Sequence, residues 1–114
     1  MAGVDVEMTD RVLEAIKVVA QHAPVRAVYI FGSQVQGAAD EWSDVDVDAF
    51  VEGAEKWDIW ERARMAGDAM LQAGHDIELH FFPADKLEHA HPASFAAYVQ
   101  KHGLRVDTRK VTSS

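Results

Sequence analysis

Asp44, Asp46 and Asp48 alternate with Val45, Val47 and Ala49 in the segment DVDVDAFV. On an extended chain this alternation sets the three carboxylates on one face and the apolar side chains on the other. Same-face neighbours stand roughly 6.5–7 Å apart at Cα, and each such pair repels by a few kcal/mol at an effective dielectric of about 20. Water, a bound cation or a proton must relieve that repulsion. Oxygen donors with no His or Cys between them favour a hard divalent ion such as Mg²⁺; three solvated acids on an open sheet face are the plainer alternative. Upstream, Gly32-Ser33 follows the apolar run VRAVYIF. A glycine lets backbone come close to a ligand, and a serine hydroxyl with free N–H groups at a helix start can hold a phosphate. Ten residues separate Ser33 from Asp44, so the arrangement reads Gly-Ser-x10-Asp-x-Asp.

The elements that would position these groups follow from periodicity. Residues 9–22 carry Val12, Leu13, Ile16, Val19 and Ala20 at helical spacing, and Pro24 ends the helix. VRAVYIF (25–31) is almost wholly apolar and reads as a buried central strand, and 44–51 reads as a second strand stopped by Gly53. A short helix over 33–39 would be cut by Gly37. Residues 54–73 read as one long helix with Trp57, Trp60, Ala63, Met65, Met70 and Leu71 available for packing and Gly74 as its cap. DIELHFF (76–82) is a third strand closed by Pro83, 84–90 a short helix, SFAAYVQKH (94–102) a helix capped by Gly103, and LRV (104–106) a last short strand. This order describes an α/β (α+β) protein: a mixed β-sheet with helices packed on it. Residues 1–114 read as a single domain with a loose tail from about 107.

Composition narrows the partners. The 114 residues contain no cysteine, which excludes disulfides, a thiolate nucleophile and Cys-ligated zinc. The net charge is −8, and residues 27–55 hold seven acids and no Lys or Arg, so nearly all the excess is local. An acidic surface repels phosphate backbones, so no direct nucleic-acid binding is expected. The apolar runs are too short for a membrane span and MAGVDVEMTDR lacks a signal-peptide core, so the expected location is cytoplasmic.

The stretch YIFGSQVQGAADEWSDVDVDAFV (29–51) resembles the signature of the nucleotidyltransferase superfamily with a polymerase-β-like fold, with Gly37 and Ser43-Asp44 where that family usually has Gly and Ser-Asp. The order of elements is similar to that of minimal nucleotidyltransferase domains. The resemblance implies that Asp44, Asp46 and one acid on a later strand hold two Mg²⁺ ions, and that Gly32 and Ser33 bind the phosphates of a nucleotide such as ATP. Asp76, Glu78 and His80 share a face of the third strand; Glu78 is the expected third carboxylate and Asp76 the fallback. Asp48, Asp76 and His80 are expected to stand outside the first ring of ligands. The family often has Arg before the second Gly, where this chain has Gln36.

The same resemblance implies a partner and an acceptor. Minimal domains of this kind pair with a helical HEPN-type toxin and act as antitoxins, transferring AMP from ATP to a toxin tyrosine. A non-catalytic antitoxin acting by binding alone, and a small-molecule transferase of the aminoglycoside type, are the alternatives; a homo-oligomer is a further possibility. Two rivals use other chemistry. Asp44, Asp46, Asp48 and Glu55 match positions 1, 3, 5 and 12 of an EF-hand loop, but Ala49 replaces its glycine and the Val/Asp alternation is that of a strand. His89 and His91 lack a partner at zinc-ligand spacing.

Overall fold

The computed structural model describes residues 6–31, 45–74 and 77–108. Helix α1 spans Val6–Ala20 and buries Val12, Ala15, Ile16 and Val19, a stripe at i, i+3, i+4 and i+7. It ends two residues earlier than the expected position 22. The N–H groups of His22 and Ala23 turn back to the Val19 carbonyl, and the chain enters strand β1 (Val25–Phe31) after Pro24. Strand β2 spans Val45–Val51.

The expected helix over 54–73 is broken. Ala54–Lys56 form one 3-10 turn, Trp57 and Asp58 are extended, and helix α2 runs from Ile59 to Ala73. The cause is local: Asp58 acts as N-cap, its Oδ1 accepting the Glu61 N–H at 2.8 Å. The restart sets which residues face inward. Met65, Ala69 and Ala73 are buried, whereas Trp60 and Leu71, expected to be available for packing, are 79% and 76% exposed. Trp57 does pack, edge-on against Phe81 at 5.3 Å.

Strand β3 (Ile77–Pro83) takes Pro83 in as its last residue, which an edge strand tolerates. Helix α3 (Lys86–His89) and helix α4 (Phe95–His102) follow, then strand β4 (Leu104–Val106). The four strands lie in the order β3-β2-β1-β4. β2 and β3 are parallel, while β1 is antiparallel to both β2 and β4, so the sheet is mixed as expected.

One face of the sheet carries Val28, Ile30, Val45, Val47, Ala49, Ile77, Leu79 and Phe81, packed with α1 and α2 into the main core. The other face is covered in part by α4, whose Ala96 and Val99 join Ala27, Tyr29 and Phe50 in a smaller cluster. The chain passes from α4 into β4 through Gly103, where a Cβ would lie 2.7 Å from the Val99 carbonyl oxygen and 3.2 Å from Tyr29 Cβ. Glycine is needed there for close approach; its φ of −80° is ordinary. On the β3 side, Arg62 of α2 donates to the carbonyls of Phe81 at 3.0 Å and Ala54 at 2.6 Å, which ties the helix to the edge strand.

Candidate functional site

The second face of the sheet is apolar only at one end. Asp46, Asp48 and Phe50 project from β2 to this side, and Glu78, His80 and Phe82 from β3. Parallel pairing in register places Asp46 beside Glu78 and Asp48 beside His80, at the strand spacing of about 4.8 Å. The Glu78–His80 pair is close: His80 Nε2 lies 3.4 Å from Glu78 Oε1, with the two side chains 44% and 57% exposed. Donor atoms of Asp46, Glu78 and His80 all lie within 4.8 Å of one another. Asp46 and Glu78 are thus brought together across two strands that lie 32 positions apart in register.

Asp48 differs from these three. It is 1% exposed, and neither carboxylate oxygen has a hydrogen-bond partner among the described residues. On β1 its register neighbour is Tyr29, which is itself buried and faces Arg105 of β4, the guanidinium carbon standing 5.9 Å from the ring centroid. His80, Asp48, Tyr29 and Arg105 therefore form one row across all four strands. Burial raises the Asp48 carboxyl from its ordinary 3.8 to about 6; His80 opposes the shift, and the negative charges of Asp46 and Glu78 add to it. Asp46 and Asp48 are therefore not equivalent, and Asp48 does not belong to a solvated acidic face.

Gly32, Ser33, Asp44 and Asp76 lie outside the described residues, as do Gln36 and Gly37. Chain connectivity joins residues 32–44 to Phe31 and Val45, and Phe31 pairs with Asp46.

The donor set fits a divalent cation. Asp46 and Glu78 supply carboxylate oxygens and His80 an imidazole nitrogen, all from strands, and the buried Asp48 carboxylate beside them has no hydrogen-bond partner among the described residues. The EF-hand alternative fails on backbone conformation, because Asp46 and Asp48 stand on a strand and not in a loop. His89 and His91 join no metal-ligating cluster among the described residues. The sequence reading puts Asp46 and Glu78 among the ligands and His80 outside them; the approach of all three to within 4.8 Å depends on strand pairing, which side-chain alternation does not display.

Beside the cluster, α2 and α4 leave a shallow apolar groove lined by Ile59, Ala63, Ala66, Phe82 and Phe95, with His80 at its edge. A larger concavity lies at the other end of the sheet, around Arg26, Glu52, Pro83 and Lys86, where Arg26 and Glu52 are paired at 3.1 Å.

The mixed sheet thus presents paired carboxylates from two parallel strands. Residues 14–106 match the family model described as polymerase beta, nucleotidyltransferase, and the chain belongs to that family. The match includes Asp46, Asp48, Glu78 and His80. A crystal structure from Sulfolobus solfataricus, itself provisionally assigned as a nucleotidyltransferase, superposes with a TM-score of 0.53 at 20% identity, covering 73% of this chain and 77% of that one. At that identity the likeness supports the fold. No curated protein matches the chain significantly. Among the described residues, no helix is long and apolar enough to cross a membrane.

Proposed function

We propose that this protein is a metal-dependent nucleotidyltransferase of the cytoplasm that moves AMP from ATP to a hydroxyl acceptor, a tyrosine of a HEPN-type toxin partner, and so acts as an antitoxin. The observation that carries the transferase reading is the pairing of Asp46 with Glu78 on parallel strands of a chain that belongs to the nucleotidyltransferase family.

Asp46 and Glu78 would hold the metal, with Asp44 as the third acid of the proposed set. A bound divalent ion supplies two effects here: it lowers the pKa of the acceptor hydroxyl and offsets the charge of the departing pyrophosphate. In the transfer, the acceptor oxygen forms a bond to the α-phosphorus, the bond from that phosphorus to the bridging oxygen breaks, and the hydroxyl proton passes to solvent. Gly32 and Ser33 are assigned to the triphosphate. The apolar groove beside His80, with Phe82 and Phe95 in its wall, suits a flat ring and supports an aromatic acceptor or a stacked base.

The experiment is incubation with labelled ATP, Mg²⁺ and the product of the adjacent gene. Label is expected on a partner tyrosine, and both transfer and neutralisation should be lost in Asp44→Asn/Asp46→Asn. If no label reaches the partner and the double variant still neutralises it, the protein is an antitoxin by binding alone. Label on an aminoglycoside instead would move the acceptor to a small molecule.

A further inference from the structure

We propose that His80 is a nitrogen ligand of this centre and Asp48 its positioning carboxylate, so that the site takes a divalent first-row transition ion in preference to Mg²⁺. The inference rests on Asp46 and Glu78 as metal ligands and is independent of which group is transferred.

Counting acids along β2 suggests a hard ion held by oxygens alone. The strand pairing changes the donor set. The third group of the cluster is an imidazole, and its Nε2 converges with a Glu78 oxygen to 3.4 Å. Opposite ligands of an octahedral ion with bonds of about 2.1 Å stand about 4.2 Å apart, so donors within 4.8 Å of one another reach a single ion by small side-chain rotations. Mg²⁺ prefers carboxylates and retained water, whereas first-row transition ions gain from an imidazole nitrogen. The ring therefore shifts the preference of the site.

Asp48 is the independent observation. Its carboxylate is 1% exposed and unpartnered at both oxygens, and it lies on the register position beside His80, on the same face as Asp46. An orphaned carboxylate in such a place is costly unless something compensates it. A metal-bound histidine usually donates its second ring N–H to a carboxylate or carbonyl, which fixes the ring and strengthens it as a ligand. Asp48 is the carboxylate that the register supplies. Without this role, His80 is simply a partner of Glu78 in an exposed ion pair, and the two accounts differ in what Mn²⁺ would see.

The test uses the full chain stripped by chelator, with Mn²⁺ as the probe. Free Mn²⁺ is followed by electron paramagnetic resonance, Mg²⁺ is measured by competition, and the bound Mn²⁺ is examined for nitrogen coupling by spin-echo modulation. Wild type should show ¹⁴N modulation. His80→Gln should abolish it and weaken Mn²⁺ by at least the factor of about ten that loss of a ligand's supporting partner costs, with Mg²⁺ affinity changed less than about twofold. Asp48→Asn should keep the modulation and weaken Mn²⁺ about tenfold. Both substitutions are near-isosteric, and circular dichroism checks the fold. Bound Mn²⁺ without nitrogen coupling, or equal losses for both ions in His80→Gln, overturns the ligand assignment while leaving the carboxylate centre intact. An unchanged Mn²⁺ affinity in Asp48→Asn overturns its positioning role. If neither ion binds, or if Glu78→Gln leaves binding unaltered, the metal-dependent reading of the protein falls with it.

Discussion

Asp48→Asn removes a buried ionisable carboxyl while keeping its shape, and its effect on stability has a sign that can be worked out. In the metal-free protein, burial holds the Asp48 carboxyl at about 6 against an ordinary 3.8. Between those values the folded state binds more protons than the unfolded one, so wild-type stability falls as pH rises through this window. Above about pH 6 the cost is complete. The separation from 3.8 to about 6 corresponds to about 3 kcal/mol. Asparagine has no proton to lose, so the variant lacks this term at every pH. The unpaired amide it leaves behind adds a constant, which cancels when two pH values are compared. The measurement is urea denaturation of both proteins in EDTA from pH 4 to pH 8. The stability of Asp48→Asn relative to wild type should rise with pH, by about 2.4 kcal/mol from pH 4 to pH 8, with somewhat more than half of that rise falling between pH 5 and pH 8. A relative stability that stays flat across this range would refute the reasoning, because it would mean that Asp48 is hydrated or compensated in the folded protein.

Three further outcomes follow from the geometry. Glu78→Gln should lower nucleotidyl transfer at least about tenfold yet change the unfolding free energy in urea by no more than about 0.5 kcal/mol, because its side chain is 57% exposed; transfer at wild-type rate would exclude Glu78 from the centre. Gly103→Ala places a Cβ against the Val99 carbonyl oxygen, which is backbone and cannot swing away; a loss of about 1–3 kcal/mol is expected by denaturation, and an unshifted midpoint would show that β4 is free to move. Arg62→Ala leaves the Phe81 and Ala54 carbonyls without their charged donor, and should cost about 2–3 kcal/mol and raise amide exchange along β3, read by mass spectrometry.

What the sequence by itself determined is local. The alternation of Val and Asp set a strand and its two faces, VRAVYIF set a buried strand whose bounds match β1, and Ser94 and Gly103 marked the ends of α4. These follow from side-chain period and capping, which act over a few residues. The break at Asp58 was legible too, since Asp58 and Glu61 stand at N-cap spacing, but the helical period across it dominated. Tertiary structure decided the rest. That Asp46 meets Glu78, and Asp48 meets His80, depends on the parallel register of β2 and β3, a pairing between segments separated by a helix. Whether an acid on a strand face is solvated or buried depends on what neighbours it from other strands, so Asp46, partly buried, and Asp48, sealed beside Tyr29 and His80, part company although the sequence writes them alike. Alternation assigns a residue to a face; only the packing of that face assigns its charge an environment.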